Sequence, residues 1–386
     1  MPVRQRVFRT ASVLTKMVKV YHYSPSITRR DAIGYSLSYL HKSMLHAGIP
    51  SFLVCDQSVV GGAPPFTLGF DDFVRRKPGR DDILLMHYSF FDRNADDLLA
   101  LPCRKILIYH NITPGHFFRD FGQVELGNAC DAGRAYLSKM SGAFEAVVAD
   151  SQYNASELVS FGFPSPKVIP VFYNAKFYAD GSSDHDAFLR RRLLGEVSLV
   201  FIGRFVPNKR PDNLIRVTAA VKKLLGRPVR LRLHGKVWDE GYFRSLRRLS
   251  EEAGVEHEIS FEVNQPQGAL RTSLASADAF VSMSEHEGFM VPLVEAFSAG
   301  CPVVALKSSA VTETCGSAGY LLDEPDVEAM AGYIAAITRD RDLRRNLIRA
   351  QSARAFDFSE QRTMSKWAAL LRDFIPEKLV THAHRI

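Results

Sequence analysis

One window, residues 282–305, constrains the fold of this chain more than any other stretch. The apolar residues 278–283 just before it have the β-branched and aromatic composition of a buried strand, and a polar loop follows them. Pro292 then lies in the first turn of a predicted short helix that ends at Gly300, and residues 301–305 form another buried strand. The window therefore predicts a βαβ unit, which binds ligands at the carboxyl ends of its strands.

Two glutamates, Glu287 and Glu295, flank the turn that opens this helix. We place Glu287 on the loop and Glu295 in the first turn of the helix. The free amides from Gly288 to Val294 would face the crevice, where the helix dipole favours a phosphate. The two acids could then bind different hydroxyls of one extended ligand. The alternative is that both are ordinary charges of a loop and a helix surface.

A second segment has the same layout. Residues 198–203 are a predicted strand, 204–210 a polar loop, and 211–225 a helix closed by Gly226. Arg204 and Lys209 lie in the loop, where they suit charge-assisted contacts to a diphosphate. Taken alone, the segment is more typical of a solvated surface loop.

Alternating strands and helices extend over the whole chain and favour two doubly wound parallel sheets. The first half has predicted strands at 18–23, 51–55, 82–87, 105–110, 146–149 and 168–171. The second half has strands near 198, 229, 258, 278, 301 and 319, and three helices follow them. We divide the chain into a first domain at 1–178, a hydrophilic linker at 179–195, a second domain at 196–358 and a terminal segment at 359–386.

Composition narrows the class of protein. With 386 residues and 46% hydrophobic content, the chain can bury the cores of two or three domains. No apolar run approaches the ~18 residues of a membrane span. The cysteine number, five, is odd, and the residues are scattered without metal-site spacing, so a reducing cytoplasm fits better than secretion.

The formal net charge of +7 is spread along the chain rather than gathered in a stripe. That distribution argues against nucleic acid as a partner. Peripheral contact with an anionic membrane, on the inner face of the cell membrane, is compatible with basic residues at 75–80, at 29–30 and in the first nine positions. Each of these groups could instead be solvated surface.

The two glutamates, the Gly-Phe turn and the Gly-Cys-Pro-Val-Val strand together resemble glycosyltransferase family 4, whose signature is Glu, seven residues, Glu. The resemblance implies a retaining nucleotide-sugar transferase with two Rossmann-like domains facing across a cleft, the GT-B arrangement. The family's usual turn is Glu-Gly-Phe-Gly, and this chain has Met290 at the last position. Its Gly-Arg, spacer, Lys motif matches Gly203, Arg204 and Lys209. In the family the terminal helix crosses back to the first domain.

Several first-domain strings resemble a subgroup that builds bacterial O-antigen and other surface polysaccharides, often from GDP-mannose. They are YHNITP at 109–114, RRDAIG at 29–34 and GRAYL at 133–137. In that subgroup the histidine at the end of the strand is near the donor sugar. The resemblance therefore implies a sugar or charge-stabilising contact for His110, whereas a lone histidine after a strand is more often structural.

The resemblance implies a role for each residue of the site. The leaving diphosphate would be held by Arg204 and Lys209, the sugar by Glu287 and His110, and the ribose by Glu295. The remaining donor contacts would come from Gly203, Lys236, Val263, Gly288, Phe289, Met290, Leu293 and Val294, with Lys236 and Val263 near the nucleotide base.

The predicted reaction is transfer of a hexose, with mannose from GDP-mannose as the first choice, onto a growing and lipid-linked saccharide with retention at the anomeric carbon. No cofactor or metal is expected, since Asp184 and Asp186 form a DxD in the hydrophilic linker rather than at a strand end. Another donor such as a UDP-hexose, an epimerase or phosphorylase of similar shape, and a non-catalytic sugar-nucleotide-binding subunit remain alternatives.

Overall fold

Two parallel β-sheets organise the chain in the computed structural model, which describes residues 18–28, 31–56, 67–181 and 183–375. The first sheet has seven strands in the order β3-β2-β1-β4-β5-β6-β7. Its strands are β1 (Val20–Ser24), β2 (Ser51–Cys55), β3 (Thr67–Gly69), β4 (Ile83–Tyr88), β5 (Arg104–Tyr109), β6 (Ala146–Ala149) and β7 (Lys167–Val168).

The central strands of this sheet are buried along their whole length. Every residue of β1 and of β4 is buried, as expected where helices cover both faces of a parallel sheet. Val20 pairs with Ser51 of β2 on one side and with Ile83 of β4 on the other, so β1 is an interior strand of the sheet.

Eight helices follow the strands of the first half in the described part of the chain. Asp31 caps the first of them and Ser151 caps the sixth, each accepting a hydrogen bond from a backbone amide of the first turn. The helices are α1 (Ala32–His46), α2 (Phe70–Arg75), α3 (Ala95–Ala100), α4 (His116–Arg119), α5 (Val124–Met140), α6 (Gln152–Ser160), α7 (Ala175–Ala179) and α8 (His185–Leu194).

The second sheet has six strands in the order β10-β9-β8-β11-β12-β13. They are β8 (Val197–Ile202), β9 (Val229–Gly235), β10 (Ile259–Val263), β11 (Ala279–Ser282), β12 (Val303–Leu306) and β13 (Tyr320–Leu322). Their helices are α9 (Pro211–Leu225), α10 (Glu240–Glu252), α11 (Gln267–Ser276), α12 (Val291–Ser298), α13 (Val311–Cys315), α14 (Val327–Arg339) and α15 (Arg341–Asp357), and α16 (Glu360–Leu371) comes last.

The order of the second sheet creates a crevice between two of its loops. Strand β8 pairs with β9 on one side and with β11 on the other. The chain therefore leaves β8 in one direction and leaves β11 in the other, which opens a gap at the carboxyl ends of the two strands. Residues 203–210 and 283–290 are the loops on the two sides of that gap.

Helix α16 packs on the first sheet rather than on the second. Trp367 and Leu371 share an apolar core with Ile83 of β4 and Ile106 of β5. At the start of the helix, the Tyr35 hydroxyl of α1 donates to Glu360 at 2.9 Å. Helix α16 thus ties the segment that follows the second domain to the first domain.

The predicted fold class, two doubly wound parallel domains, is confirmed by the two sheets. The hydrophilic segment 179–195 is not an extended spacer, because α8 occupies most of it. Asp184 caps this helix by accepting from the amides of Asp186 and Ala187, so the acidic pair that was expected in a flexible linker is part of a helix start. Strand β3 and the long helix α5 were not predicted.

Some predicted features lie outside the described residues. They are the basic first nine positions, the pair at 29–30 and the end of the terminal segment at 376–386.

Removal of the Trp367 side chain tests the role of α16. Trp367 is buried to 4% exposure, so Trp367→Ala should destabilise the first domain by about 3–5 kcal/mol through lost burial and the cavity left behind. Urea unfolding followed by circular dichroism measures the change. Val159→Ala, at a position 57% exposed, is the control and should stay within about 0.5 kcal/mol of the wild type. Equal stability of the two variants would contradict this packing role.

Candidate functional site

Backbone and side-chain hydrogen bonds join the two loops that border the crevice of the second sheet. The amide of Glu285 donates to the carbonyl of Asn208 at 2.9 Å. In return, the Asn208 side chain donates to the carbonyl of His286 at 3.2 Å. The loops after β8 and β11, which sequence analysis singled out separately, therefore form one structural unit.

Lys209 and Glu287 form an ion pair across this unit. Their Nζ and Oε2 atoms are 2.6 Å apart, and each side chain is only 13% exposed. Lys209 also donates to the carbonyl of His286 at 3.3 Å. Burial lowers the pKa of Lys209 below its ordinary value, and the Glu287 carboxylate opposes that shift. Because an ammonium group has three N–H donors, one remains for a ligand.

Arg204 is exposed at the mouth of the same loop. Its guanidinium lies over the ring of Trp238, with Cζ 5.6 Å from the ring centroid. Within the described residues the Arg204 guanidinium makes no ion pair or hydrogen bond. Its planar set of donors is therefore available for an anion, as the predicted diphosphate contact requires.

The turn from Gly288 to Met290 presents unpaired backbone amides. None of the described residues accepts a hydrogen bond from the amides of Gly288, Phe289 or Met290. The turn is held from behind, where the Thr314 hydroxyl donates to the carbonyl of Phe289 at 2.8 Å. Helix α12 begins directly after it, so the positive end of the helix dipole adds to the attraction for an anionic or hydroxyl-bearing ligand.

Met290 adopts the left-handed conformation, with φ at 71°. A side chain in this region costs roughly 1–2 kcal/mol, which explains why glycine is usual in the turns that this one resembles. Met290 is only 5% exposed and packs in the core below α12. Burial of a methionine contributes roughly 1.5–3 kcal/mol, which is enough to offset the strain.

Glu295 borders a cavity of about 130 Å³ between the two domains. Burial raises the pKa of Glu295 to about 7, and a hydrogen bond with the Tyr178 hydroxyl opposes that rise. Helix α12 begins at Val291, so Glu295 lies in its second turn. The prediction that placed Glu295 in the first turn is wrong. The lining of the cavity includes Asp31, Tyr35 and Asn174 from one side and Ile202, Leu270 and Glu295 from the other.

The His110 ring is turned into the first domain. Its Nδ1 lies 2.8 Å from Asp150 Oδ2, and its Nε2 lies 2.9 Å from Nδ1 of His87. Both ring nitrogens thus have partners, and the predicted sugar contact stays a prediction. The backbone of His110 does face the second domain, because a Cβ added at Gly288 would lie 2.9 Å from its carbonyl oxygen.

The other predicted donor residues divide into two groups. Gly203 and Lys236 lie at the crevice edge, where a Cβ on the neighbouring Gly235 would come within 2.1 Å of the Gly203 carbonyl. Val263 ends β10 and packs against the core of the second domain. Leu293 and Val294 are fully buried, and the Leu293 amide donates to the Met290 carbonyl, so α12 itself uses that amide.

Sequence reasoning missed His286, which lies beside the ion pair at the contact between the domains. Its ring centroid is 5.7 Å from that of Phe117 and 5.9 Å from that of Tyr153, both in the first domain. Burial lowers the pKa of His286 to about 3, and the Lys209 cation adds to the effect. Its position next to Glu287 was the available signal.

Glu313 is a second missed residue of the domain contact. It accepts from the amide of Gln152 at 3.0 Å and so places a carboxylate of α13 at the first turn of α6. Nothing in the sequence around Glu313 indicated this contact.

A model of the family described as Glycosyl transferases group 1 matches residues 190–354. This stretch covers the whole second sheet and most of its helices, including the Lys209–Glu287 pair and the turn before α12. The second domain is thus similar to members of that family.

Curated relatives match parts of the chain. D-inositol 3-phosphate glycosyltransferase from Nocardia farcinica is 32% identical over 192 residues, which cover 47% of this chain and 42% of that protein. O-antigen chain mannosyltransferase B from Escherichia coli is 26% identical over 218 residues, covering 54% of this chain and 55% of that protein. The chain thus spans about half the length of these relatives.

Among solved structures, sucrose-phosphate synthase from Thermosynechococcus elongatus is 16% identical and superposes with a TM-score of 0.73. The match covers 92% of this chain and 98% of that one. Because it extends over both domains, it confirms the predicted GT-B arrangement of two Rossmann-like domains.

The described ranges contain neither a membrane-spanning helix nor a cluster of metal ligands. No helix there combines the length and apolar character needed to cross a bilayer. No group of three or more His, Cys, Asp or Glu side chains in the same ranges is arranged to hold a metal ion. Metal-independent chemistry stays a prediction.

A methyl group at Gly288 should separate the domains without unfolding them. The added Cβ would lie 2.8 Å from Asn111 Cβ and 2.9 Å from the His110 carbonyl oxygen, so closure meets a backbone atom that cannot move away easily. We expect Gly288→Ala to increase the radius of gyration in small-angle X-ray scattering at an unchanged circular dichroism spectrum. Gly268→Ala is the control, since nothing lies within 4 Å of its added Cβ. A Gly288→Ala variant as compact as the wild type would show that this contact does not set the domain spacing.

Proposed function

We propose that this protein is a retaining hexosyltransferase that uses a nucleotide diphosphate sugar. The observation that carries the proposal is the Lys209–Glu287 pair at the crevice of the second sheet, with Arg204 and the free amides of the Gly288 turn around it. Such a donor needs cations for its diphosphate, and amides and a carboxylate for its sugar hydroxyls. The partly buried Glu295 at the neighbouring cavity adds an acceptor for further hydroxyls.

In the proposed reaction the bond between the anomeric carbon and the diphosphate oxygen breaks, and its electron pair stays with the diphosphate. Arg204 and the remaining donor of Lys209 offset the charge that develops there. The acceptor hydroxyl forms the new bond on the same face of the sugar, and its proton passes to the leaving phosphate oxygen. Glu287 is too closely paired with Lys209 to act alone as a nucleophile, which supports this route over a covalent intermediate.

For the substrates, we propose mannose from GDP-mannose as the donor and a lipid-linked saccharide of a bacterial surface polysaccharide as the acceptor. The support is the likeness to O-antigen chain mannosyltransferase B together with the first-domain strings at 109–114 and 133–137. A UDP-hexose donor and a non-catalytic sugar-nucleotide-binding subunit are the outcomes that would replace this proposal.

Ligand-induced thermal shifts identify the donor. A ligand that binds only the folded protein raises the melting temperature, and at equal concentration a tighter ligand raises it more. We expect GDP-mannose and GDP to give the largest shifts in a panel that also contains UDP-glucose, UDP, ADP and inorganic phosphate. Larger shifts with the uridine ligands would replace the guanosine donor. Binding of GDP-mannose without transfer to any saccharide acceptor would favour the binding subunit.

Substitutions in the site test the residue roles. Lys209→Ala and Glu295→Ala should each lower transfer more than tenfold, because a diphosphate contact and a ribose contact are lost. Exposed residues of α9 and α10 supply the matched controls, Lys223→Ala and Glu252→Ala, which should keep wild-type turnover. Near-wild-type turnover in both site variants would remove these residues from the donor site.

Stability needs a separate control, because Lys209→Ala leaves Glu287 partly buried without its cation, at a cost of about 3–5 kcal/mol. The double variant Lys209→Met with Glu287→Gln removes both charges. It should recover most of the melting temperature and none of the activity. Recovery of both would mean that the pair serves stability only.

We also propose peripheral contact with an anionic membrane on its cytoplasmic face. The turn after α2 exposes Arg76, Lys77 and Arg80, and each basic residue near an anionic surface contributes about 1 kcal/mol. Arg76→Glu with Arg80→Glu should therefore lower binding to vesicles with one-third phosphatidylserine by more than tenfold in a sedimentation assay. Binding to purely zwitterionic vesicles is the control. Unchanged binding of the variant to anionic vesicles would exclude this turn as the contact.

A further inference from the structure

The corner at the end of β5, residues 110–112, is the part of the first domain that meets the Gly288 turn. Asn111 holds a left-handed conformation with φ at 73°. Such a conformation persists only where the surroundings over-determine it. Here the Asn111 side chain donates to Asn154 at 2.9 Å, the Ile112 amide donates to the Tyr109 hydroxyl at 3.1 Å, and Arg134 donates to the Ile112 carbonyl at 2.8 Å.

The His110 ring lies beneath this corner as the middle of a row of three buried side chains. The His110 side chain is 2% exposed and that of Asp150 is 6% exposed, with 2.8 Å between Nδ1 and Oδ2. On the other side, Nε2 of His110 lies 2.9 Å from Nδ1 of His87, which is itself buried. A carboxylate that accepts from Nδ1–H fixes which tautomer of a histidine is present.

The proton positions in this row follow from the hydrogen bonds. Burial keeps the pKa of His87 well below its ordinary value, so that ring is neutral and has one N–H. If the hydrogen of His87 is on Nδ1, it is donated to Nε2 of His110. If it is on Nε2 of His87, it is buried without an acceptor among the described residues, and Nε2 of His110 must itself carry a proton to make the bond between the rings. The first arrangement leaves His110 neutral, with its single proton on Nδ1.

We propose that Asp150 and His87 are positioning residues that hold His110 as the neutral Nδ1–H tautomer and keep a carboxylate charge beneath the corner that faces the Gly288 turn. This inference rests on the proposed function, because its consequence concerns the donor sugar. As the bond to the diphosphate breaks, the anomeric carbon gains positive charge. A buried carboxylate below the His110 carbonyl stabilises that charge more in the transition state than in the ground state.

The first test is a direct reading of the His110 tautomer. In protein labelled with ¹⁵N-histidine, long-range ¹H–¹⁵N spectra separate protonated from unprotonated ring nitrogens, and His110→Gln assigns the signals by their loss. We expect a protonated Nδ1 and an unprotonated Nε2 for His110 in the wild type, and loss of that pattern in Asp150→Asn. An imidazolium, or an Nε2–H tautomer, in the wild type would overturn the inference whether or not the protein transfers sugar.

The second test separates catalysis from folding. Asp150→Asn should lower kcat more than tenfold and leave the donor KM within about threefold, because the lost charge acts in the transition state. His87→Asn keeps an N–H donor near the place of Nδ1 and should retain most of kcat, whereas His87→Leu removes the donor and should lose it. Rescue of kcat by asparagine but not by leucine, at an unchanged donor KM and melting temperature, would separate this role from a purely structural one.

Asp82→Asn is the matched control. Asp82 is equally buried in the first domain, but it lies at the opposite end of β4, where it accepts from the amides of Lys19 and Gly79. We expect a loss of stability without a specific loss of kcat. A wild-type kcat in Asp150→Asn, measured with an active wild-type enzyme, would overturn the inference alone. Absence of transfer by the wild type with every donor would overturn the proposed function instead.

Discussion

The buried ion pair between Lys209 and Glu287 is the interaction on which the arrangement of the second domain's crevice depends. Removing two charges from water costs several kcal/mol for each, and only short contacts with further hydrogen bonds compensate for that cost. The 2.6 Å separation and the His286 carbonyl provide both. Lys209 follows β8 and Glu287 follows β11. The pair therefore fixes the two loops that border the crevice relative to each other.

The first domain contacts this unit through α4, α6 and the corner after β5. Asn154 and Asn111 lie against Gly288, Tyr153 lies against His286, and the first amides of α6 bind Glu313. These contacts are small side chains, rings and backbone groups rather than a broad apolar surface. Domains that meet in this way can separate to admit a ligand and close again over it, and closure excludes water from the bond that reacts.

Prediction from sequence succeeded where local pattern and burial coincide. Strands β1, β4, β11 and β12 are buried along their whole length, so mainly apolar runs indicated them. Helix α9 is bounded by Pro211 and by Gly226 at φ 59°. The pattern was less informative for α5, which has a weakly apolar sequence and packs through scattered residues such as Gly133 and Leu137. Helix α8 was missed because its surface is polar or exposed, and only its Asp184 cap indicated a helix start.

The sequence alone determined the fold class, two parallel sheets, and the candidate residues of the site. Those residues are an Arg and a Lys after one strand, two glutamates around a Gly-Phe turn after another, and a histidine at the end of β5. Only the tertiary structure decided how those residues are paired. Lys209 and Glu287 are 78 positions apart in the sequence (287 minus 209), and the crossover order of the sheet is what brings them within 2.6 Å. Likewise the direction of the His110 ring depends on Asp150 and His87, which lie on loops and strands that meet only in the folded sheet. Hydrogen bonds and ion pairs act over a few ångströms, so spacing along a chain cannot reveal them until packing has set the distances.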